Sequence, residues 1–593
     1  MSHKSENVNR LTVQTLEVSI LEDFPNGNPN HAEVWFFVLP FGRTISDAES
    51  STSWFNRLRQ FAQSLNKESI VAILTSVQDA SETWPQLCDV LQFQLWVAVK
   101  LATPINNNSK QLPENHAALL ILSKYKKSLR HTKTRIGYTY CPTCDKTTKD
   151  YGGKKHTYHE YGTLISDVWR DIVYTPGKHP DDIAIRLSDL FGLNPYSKLT
   201  IVNLVGMYSI SPKQIDSRVV TLFMQENWGN IESQLINGDS LSEIRKLPTN
   251  SIDFCFADPP YNLAKRYDSW DDAINVQDYL AWCDNWIDEL ARVLRPGCTC
   301  AIINIPILSI RHFQHMKNSL VFQSWIAWEG LSLPVRMIMP VHYAIVCFSK
   351  GNPRPLPGLV KDTSTSLEAN AITTLRENYC LRQSCVAMRK RFNVPDRELI
   401  TDLWWDIHRL KHNSRRVDHP CQLPPALMRR LIALYTAENE VVLDPFNGAG
   451  TTTLCADELL RRYIGIELSE KYHKIAEARH KRLHNGGDPF EKANGVPKSK
   501  NSRVGRIGGI KYEVSKKTLQ LEVKRVAKLL GHLPSREELE RNGYYPIRYY
   551  DDYFISWGEV CAAARTTGMT ETRSSTPHTP KTTQLSLFQK SDF

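Results

Sequence analysis

Asp258, Pro259, Pro260 and Tyr261 follow directly on the apolar run SIDFCFA. That order places them in the loop at the C-terminal end of a strand, where α/β sheets bind ligands. Their types suit one chemical problem. An exocyclic amine on a nucleobase is a poor nucleophile because its lone pair is delocalised into the ring. A methyl acceptor of this kind needs hydrogen-bond acceptors that draw the NH2 toward tetrahedral geometry. The Asp258 carboxylate and the Pro259 carbonyl are such acceptors. Two prolines stiffen the loop and preorganise that carbonyl, and the Tyr261 ring offers a face on which an extruded base can stack.

A second constellation lies in VVLDPFNGAGTTTLCADELLRRYIGIELSEKY. An apolar strand runs into Asp444, Phe446, Gly448 and Gly450, then a helix, then a strand ending at Glu467. Glycines let a backbone approach a ligand at a helix N-terminus, and an acid about 20 positions on can take two ribose hydroxyls. No lysine follows the loop as in a phosphate-cradling GKT, and the spacing is not GxGxxG, so a triphosphate or dinucleotide fits less well.

Together these motifs resemble the amino-group DNA methyltransferases that use S-adenosylmethionine, in the subgroup where DPPY precedes FxGxG. The resemblance covers about 250 residues. It makes Asp258, Pro259, Pro260 and Tyr261 the catalytic loop and Phe446, Gly448 and Gly450 the methionine-side cofactor loop. Asp444 becomes the strand-end acid and Glu467 the ribose ligand. HPCQLP from His419 looks like the family's HPTQKP cofactor segment, with Cys421 and Leu423 where Thr and Lys are usual. INGDSLSEI resembles the segment before the catalytic strand and brings Asp239 toward the cofactor's adenine. It implies transfer to a flipped base in double-stranded DNA. DPPY leans toward adenine N6, since SPPY is commoner for cytosine N4. A cytosine-N4 enzyme, an RNA adenine methyltransferase and an inactive DNA-binding scaffold are the alternatives, and a restriction endonuclease is a conceivable partner.

The elements that must hold these residues belong to a long chain. Its 593 residues are about four times a common domain, and 41% hydrophobic with 23% charged is ordinary globular composition. No apolar run approaches the ~20 residues that span a bilayer. Nothing at the N-terminus has a signal peptide's apolar core, so a cytoplasmic protein without membrane contact is expected, its 13 cysteines reduced.

Two distant segments repeat the same words in order. LISDVWRDI from Leu164 returns as LITDLWWDI from Leu399, FQLWVAV from Phe93 as FQSWIAW from Phe322, and HAALLILSK from His116 as HYAIVCFSK from His342. The expected fold class is therefore α/β: two tandem Rossmann-like units, mostly parallel sheets flanked by helices, over residues 10–232 and 233–483. A basic linker (484–516), a small helical module (517–565) and a disordered tail (566–593) follow.

The first copy has lost the chemistry. Leu39 stands opposite Asp258, Gly42 opposite Tyr261, Asn203 opposite Asp444 and Phe223 opposite Glu467. A degenerate methyltransferase domain that braces the working one is expected, because enzymes resembling this one often act as dimers.

Between the His strand and the DVW or DLW word each copy carries a segment where this subgroup recognises its target. In the second copy it includes Arg389, Lys390 and Arg391, suited to phosphate contact. In the first, Cys141 and Cys144 precede His156 and His159, a candidate zinc site, although the second copy has only Cys380 and Cys385. The net charge is +10, and from Glu491 onward 18 Lys and Arg stand against 11 Asp and Glu, which concentrates the excess there. Leu529 to Arg565, with its SREE capping box at Ser535, resembles the repeat found beside homing endonucleases, which implies DNA binding. QLSLF at Gln584–Phe588 resembles the pentapeptide that docks bacterial proteins on the replication sliding clamp. A nucleoid-associated place in bacteria or phages is what the resemblances to DNA methyltransferases and to this clamp-docking peptide imply.

Overall fold

The computed structural model describes residues 17–21, 34–41, 48–105, 108–125, 132, 134–147, 162–193, 197–204, 231–262, 274–330, 341–360, 371–376, 380, 382–410, 422–490, 516–554, 557–561 and 564. Outside them lie Gly42, His156, His159, Phe223, His419, Cys421 and the tail with Gln584–Phe588. The chain divides into a large unit, 1–496 with 583–593, and a small one, 497–582.

Among its described residues the large unit holds two large sheets and three two-stranded ribbons. The first contains β1 (Glu17–Leu21), β2 (Val34–Val38), β3 (Ile70–Thr75), β4 (Gln92–Ile105), β5 (Glu114–Ser123), β6 (Val168–Tyr174) and β7 (Lys198–Asn203). Their spatial order is β1-β7-β2-β3-β5-β4-β6. The second contains β8 (Gln234–Asn237), β9 (Ile252–Ala257), β10 (Leu294–Asn304), β11 (Val321–Glu329), β12 (His342–Ser349), β13 (Leu403–Trp404), β14 (Val441–Asp444) and β15 (Arg462–Glu467). Their order is β8-β15-β14-β9-β10-β12-β11-β13. In each sheet one strand, β5 or β12, runs against its neighbours. Strands such as IDFCFA and VVLD are buried at every position, as parallel strands covered on both faces must be.

The sheets differ at one place. β1 pairs directly with β7 in the first, whereas β15 stands between β8 and β14 in the second. Among the described residues of the first copy, no strand stands at the place β15 takes in the second sheet.

The two sheets pack through the repeated words, and they do so as a self-complementary pair. Trp96 and Trp325, equivalent in the two copies, stack with ring centroids 4.5 Å apart and planes 5° from parallel. Asp167 Oδ1 accepts from the Val341 N–H at 2.8 Å, and its equivalent Asp402 Oδ1 accepts from the Asn115 N–H, at the position matching Val341, at 2.7 Å. His342 N–H also donates to Asp167, and His116 Nδ1 lies 3.0 Å from Asp402 Oδ2. Residue i meeting j while j meets i is the signature of a two-fold interface, here inside one chain. Trp169 and Trp404 each close their own turn by donating to the carbonyls of Ser166 and Thr401. One apolar cluster, from Trp35, Trp84 and Trp96 to Phe313 and Trp325, runs through both sheets.

The expected linker begins later than residue 484. Arg479 Nε donates to the Pro489 carbonyl, and the Arg429 and Arg479 guanidiniums cover the Phe490 ring at 5.1 and 5.0 Å. Cation–π stacking and burial thus hold the chain on the second sheet's unit through Phe490.

In the small unit, helices Lys516–Leu530, Arg536–Asn542, Ile547–Tyr553 and Trp557–Val560 close over Leu519, Val523, Val526, Leu539 and Tyr550. Ser535 and Glu538 form the capping box in full. Among the described residues no helix is long and apolar enough to cross a membrane.

Candidate active site

One cavity, about 1120 Å³ counted to its open mouth, lies at the C-terminal ends of β9, β14 and β15. Its wall brings together Asp239, Asp258, Pro259, Pro260, Tyr261, Phe446, Gly448 and Glu467, residues that span more than two hundred positions of sequence.

β9 delivers Asp258 to the rim. Tyr261 Oη donates to Asp258 Oδ1 at 2.9 Å, and Tyr279 Oη donates to the Pro260 carbonyl at 2.8 Å. Asn262 takes a left-handed backbone, φ 53°, which asparagine tolerates. Its side chain donates to the Ile274 carbonyl and accepts from the Ile274 N–H, which fixes the turn after Tyr261 to the residue before the helix cap Asn275. The carboxylate and the turn that carries it are therefore held before any ligand arrives.

β14 ends in Asp444, which is buried and accepts from the Phe446 N–H at 2.9 Å. Burial, with Asp258 and Glu467 adding like charge, pushes its carboxyl up to about 7. Glu467, at the end of β15, accepts from the Gly448 N–H through Oε2 and the Ser469 N–H through Oε1, both at 2.8 Å. Burial raises its carboxyl too. Asp239 caps its helix by accepting from the Ser242 N–H and hydroxyl, while facing the cavity. Phe446 is gripped edge-on by Trp286 at 5.3 Å and tilted against Trp282 at 5.6 Å.

Two residues expected to face a ligand have another place. Gly450 is not on the cavity wall: at φ 80° it starts the helix Thr451–Glu458, and a Cβ there would meet Ala476 Cβ at 2.9 Å. Its lack of a side chain serves helix packing. Asp444 also stands behind the wall, where it orients the Phe446 amide. His419 lies outside the described residues, but Gln422 and Leu423 of the same HPCQLP segment line the cavity.

Sequence reasoning missed an aromatic and cationic side of the cavity: Trp282, Trp328, Tyr343, Arg409 and Tyr472. Tyr343 stacks tilted on Trp328 at 5.4 Å, and Arg409 covers the Tyr343 ring at 5.2 Å while donating to its hydroxyl. The available signal was the alternation of HYAIVCFS, which turns Tyr343 to one face of β12. Nothing in the sequence joined it to Arg409.

In the first sheet the position matching Asp258 is Leu39, buried, with its N–H on the Leu74 carbonyl. Leu204, one residue beyond Asn203, is likewise buried and donates to the Val38 carbonyl. Apolar side chains and backbone pairing fill the described part of the strand ends that bear the acids in the second sheet.

Residues 252–478 match the family profile described as DNA methylase, and residues 514–564 match that of the homing endonuclease associated repeat. The type II methyltransferase M.BamHI of Bacillus amyloliquefaciens is 32% identical over 40% of this chain, which spans about half (54%) of that relative's length. M.HpaI of Haemophilus parainfluenzae is 30% identical over 44% of this chain and 78% of its own. The DNA adenine methyltransferase YhdJ of Escherichia coli strain K12 is 28% identical over 42% and 82% respectively. Shared sequence over most of a relative's length, with DPPY and FNGAG meeting at one cavity, leads to one conclusion: this chain belongs to the DNA methylase family of N6/N4 amino-methyltransferases.

Proposed function

We propose that the unit built on the second sheet methylates adenine at N6 in double-stranded DNA, with S-adenosylmethionine as donor. The observation that carries this is the single cavity lined both by DPPY and by Phe446, Gly448, Glu467 and Asp239.

The donor set fits that cofactor. Glu467 accepts ribose hydroxyls at a strand end, beside the backbone turn at Gly448. Phe446, wedged between two tryptophans, gives an apolar floor, and the carboxylates at Asp239, Asp258 and Glu467 favour a cation. The cofactor supplies an electrophilic methyl group on a sulfonium. Asp258 and the Pro259 carbonyl accept hydrogen bonds from the two N–H groups of the base's amine, restoring its lone pair for in-line attack; the new N–C bond forms as the methyl–sulfur bond breaks to leave a thioether, and one amine proton leaves to solvent. Tyr261, with Trp328 and Tyr343 on the same wall, stacks the extruded base. DPPY in place of SPPY, and the adenine-specific relative matched over 82% of its length, favour N6 over N4.

The unit built on the first sheet is, in this proposal, a silent partner that braces the working one. Isothermal titration of the full chain is therefore expected to give one S-adenosylmethionine per chain. Leu39→Asp should add neither a second site nor activity, and a stoichiometry of two would overturn the reading.

The acidic cavity also fixes a pH dependence. Burial pushes the Asp444 carboxyl up to about 7 and raises that of Glu467 as well, so lowering pH through 7 protonates Asp444 and removes a negative charge from behind the wall that faces the sulfonium. Affinity for S-adenosylmethionine is expected to fall below about pH 7, while the uncharged thioether product, S-adenosylhomocysteine, changes less. Fluorescence titration of both ligands across pH checks this.

The basic Lys516–Leu530 helix and its module add DNA contact, and the Gln584–Phe588 peptide docks the protein on a sliding clamp. Expression in a methylation-free host with single-molecule mapping of modified bases tests the proposal as a whole. Modified adenine in one sequence context is the expected result; modified cytosine, or methylated RNA alone, would replace it.

A further inference from the structure

Four thiols from two distant segments converge outside the cavity. Cys141 and Cys144 come from the first copy, and Cys380 and Cys385 from the segment of the second that precedes its DLW word. All four Sγ atoms lie within 4.8 Å of one another. Cys141 Sγ is 3.8 Å from Cys385 Sγ, and Cys144 Sγ is 3.8 Å from Cys380 Sγ. We propose that these four cysteines bind one structural zinc ion that staples these segments of the two copies together.

The distances discriminate between the candidate states. A disulfide needs about 2.05 Å between sulfurs. A tetrahedral tetrathiolate with Zn–S of about 2.3 Å has an S···S edge of about 3.8 Å. The two edges at 3.8 Å, Cys141–Cys385 and Cys144–Cys380, match the tetrathiolate and are far longer than a disulfide bond.

The surroundings are those of a metal site. Cys141-Pro-Thr-Cys144 forms the turn between the short strands Tyr140–Cys141 and Lys146–Thr147, with Asp145 left-handed at φ 51°. The N–H groups of Thr143 and Cys144 point at Cys141 Sγ, as donors to a bound thiolate do. Cys385 is fully buried in the first turn of the helix Gln383–Arg391, and Cys380 is nearly so. Arg382 donates to Cys144 Sγ at 3.2 Å and to Cys380 Sγ at 3.7 Å, and also to the Thr147 carbonyl. A tetrathiolate zinc centre carries net negative charge, and a guanidinium shared between two of its sulfurs offsets that charge. Arg389, whose type suited phosphate contact, instead holds the Cys380 carbonyl and Asp396.

The sequence pairing of Cys141 and Cys144 with His156 and His159 is thereby replaced. The four thiols complete a tetrahedron with no place left for imidazole, and both histidines lie outside the described residues. The second ligand pair, 236 and more positions downstream, is recruited by the packing of the two copies. Zinc here closes a very long loop and fixes the helix that bears Lys390 and Arg391.

The test is metal analysis of the purified full chain, independent of methyl transfer. About one zinc per chain is expected, released by a thiol-directed mercurial, with cobalt substitution giving the intense thiolate-to-metal absorption of a tetrahedral sulfur site. Cys385→Ser should lose the zinc, Arg382→Ala should weaken it by about 10- to 100-fold, and Cys88→Ser should keep it. S-adenosylmethionine binding serves as the folding control for each variant. Substoichiometric metal in wild-type protein from zinc-replete cells would overturn the proposal. So would disulfides Cys141–Cys385 and Cys144–Cys380 in a non-reducing peptide map.

Discussion

Asp258→Ala is expected to keep S-adenosylmethionine binding and to lose methyl transfer by about 10²- to 10³-fold or more, the scale of removing one preorganised hydrogen-bond group from an active site. Asp258 is half-buried at the rim and packs no core, so its loss should leave the folded state intact. The change removes the acceptor for the amine and frees the Tyr261 hydroxyl that now donates to it. It also removes a negative charge that raises Asp444, so the pH below which cofactor binding weakens should shift downward. Single-turnover methylation beside calorimetric cofactor binding separates the effects. Unchanged turnover in the variant would sink the catalytic role; lost cofactor binding would make Asp258 a binding group instead.

The second large effect lies far from the cavity. Trp96→Ala or Trp325→Ala is expected to destabilise the large unit by about 3–5 kcal/mol, the range for deleting a fully buried tryptophan. Each ring is almost wholly buried, and each is the other's stacking partner. The double variant should cost less than the sum of the singles, because the stack is lost only once. Neither ring touches the cavity, so at a temperature where the protein stays folded the cofactor affinity should be retained. Urea unfolding of the four proteins checks both parts. Additive losses would mean that the two copies do not depend on each other through this pair.

These two expectations separate what is retained in the repeat from what is lost. The words common to both copies, FQ-W, the His strand and DVW or DLW, turn out to be interface words. Asp167 and Asp402 reach across to the other copy's backbone, and Trp96 meets Trp325. The words present once, DPPY and FNGAG, are ligand words and meet at the cavity. Leu39 opposite Asp258 and Asn203 opposite Asp444 mark in the sequence the chemistry that the first copy lacks, while the reason for the retained words lies in the packed interface.

What the sequence determined by itself was local. Buried parallel strands read as continuous apolar runs, a loop after such a run carries ligand groups, and a Ser-x-x-Glu before an apolar helix caps it. The loop position of DPPY, the strand-end position of Glu467 and the Ser535 box follow from these short-range rules. Tertiary structure decided whatever depends on contacts between segments far apart in the chain. It moved Gly450 from ligand to helix packing, assembled Trp328, Tyr343 and Arg409 into one wall, and extended the second unit to Phe490. It also brought Cys380 and Cys385 to Cys141 and Cys144. Spacing along a chain reports neighbours within one strand, turn or helix, whereas a tetrahedron of thiols from two copies exists only once those copies are packed.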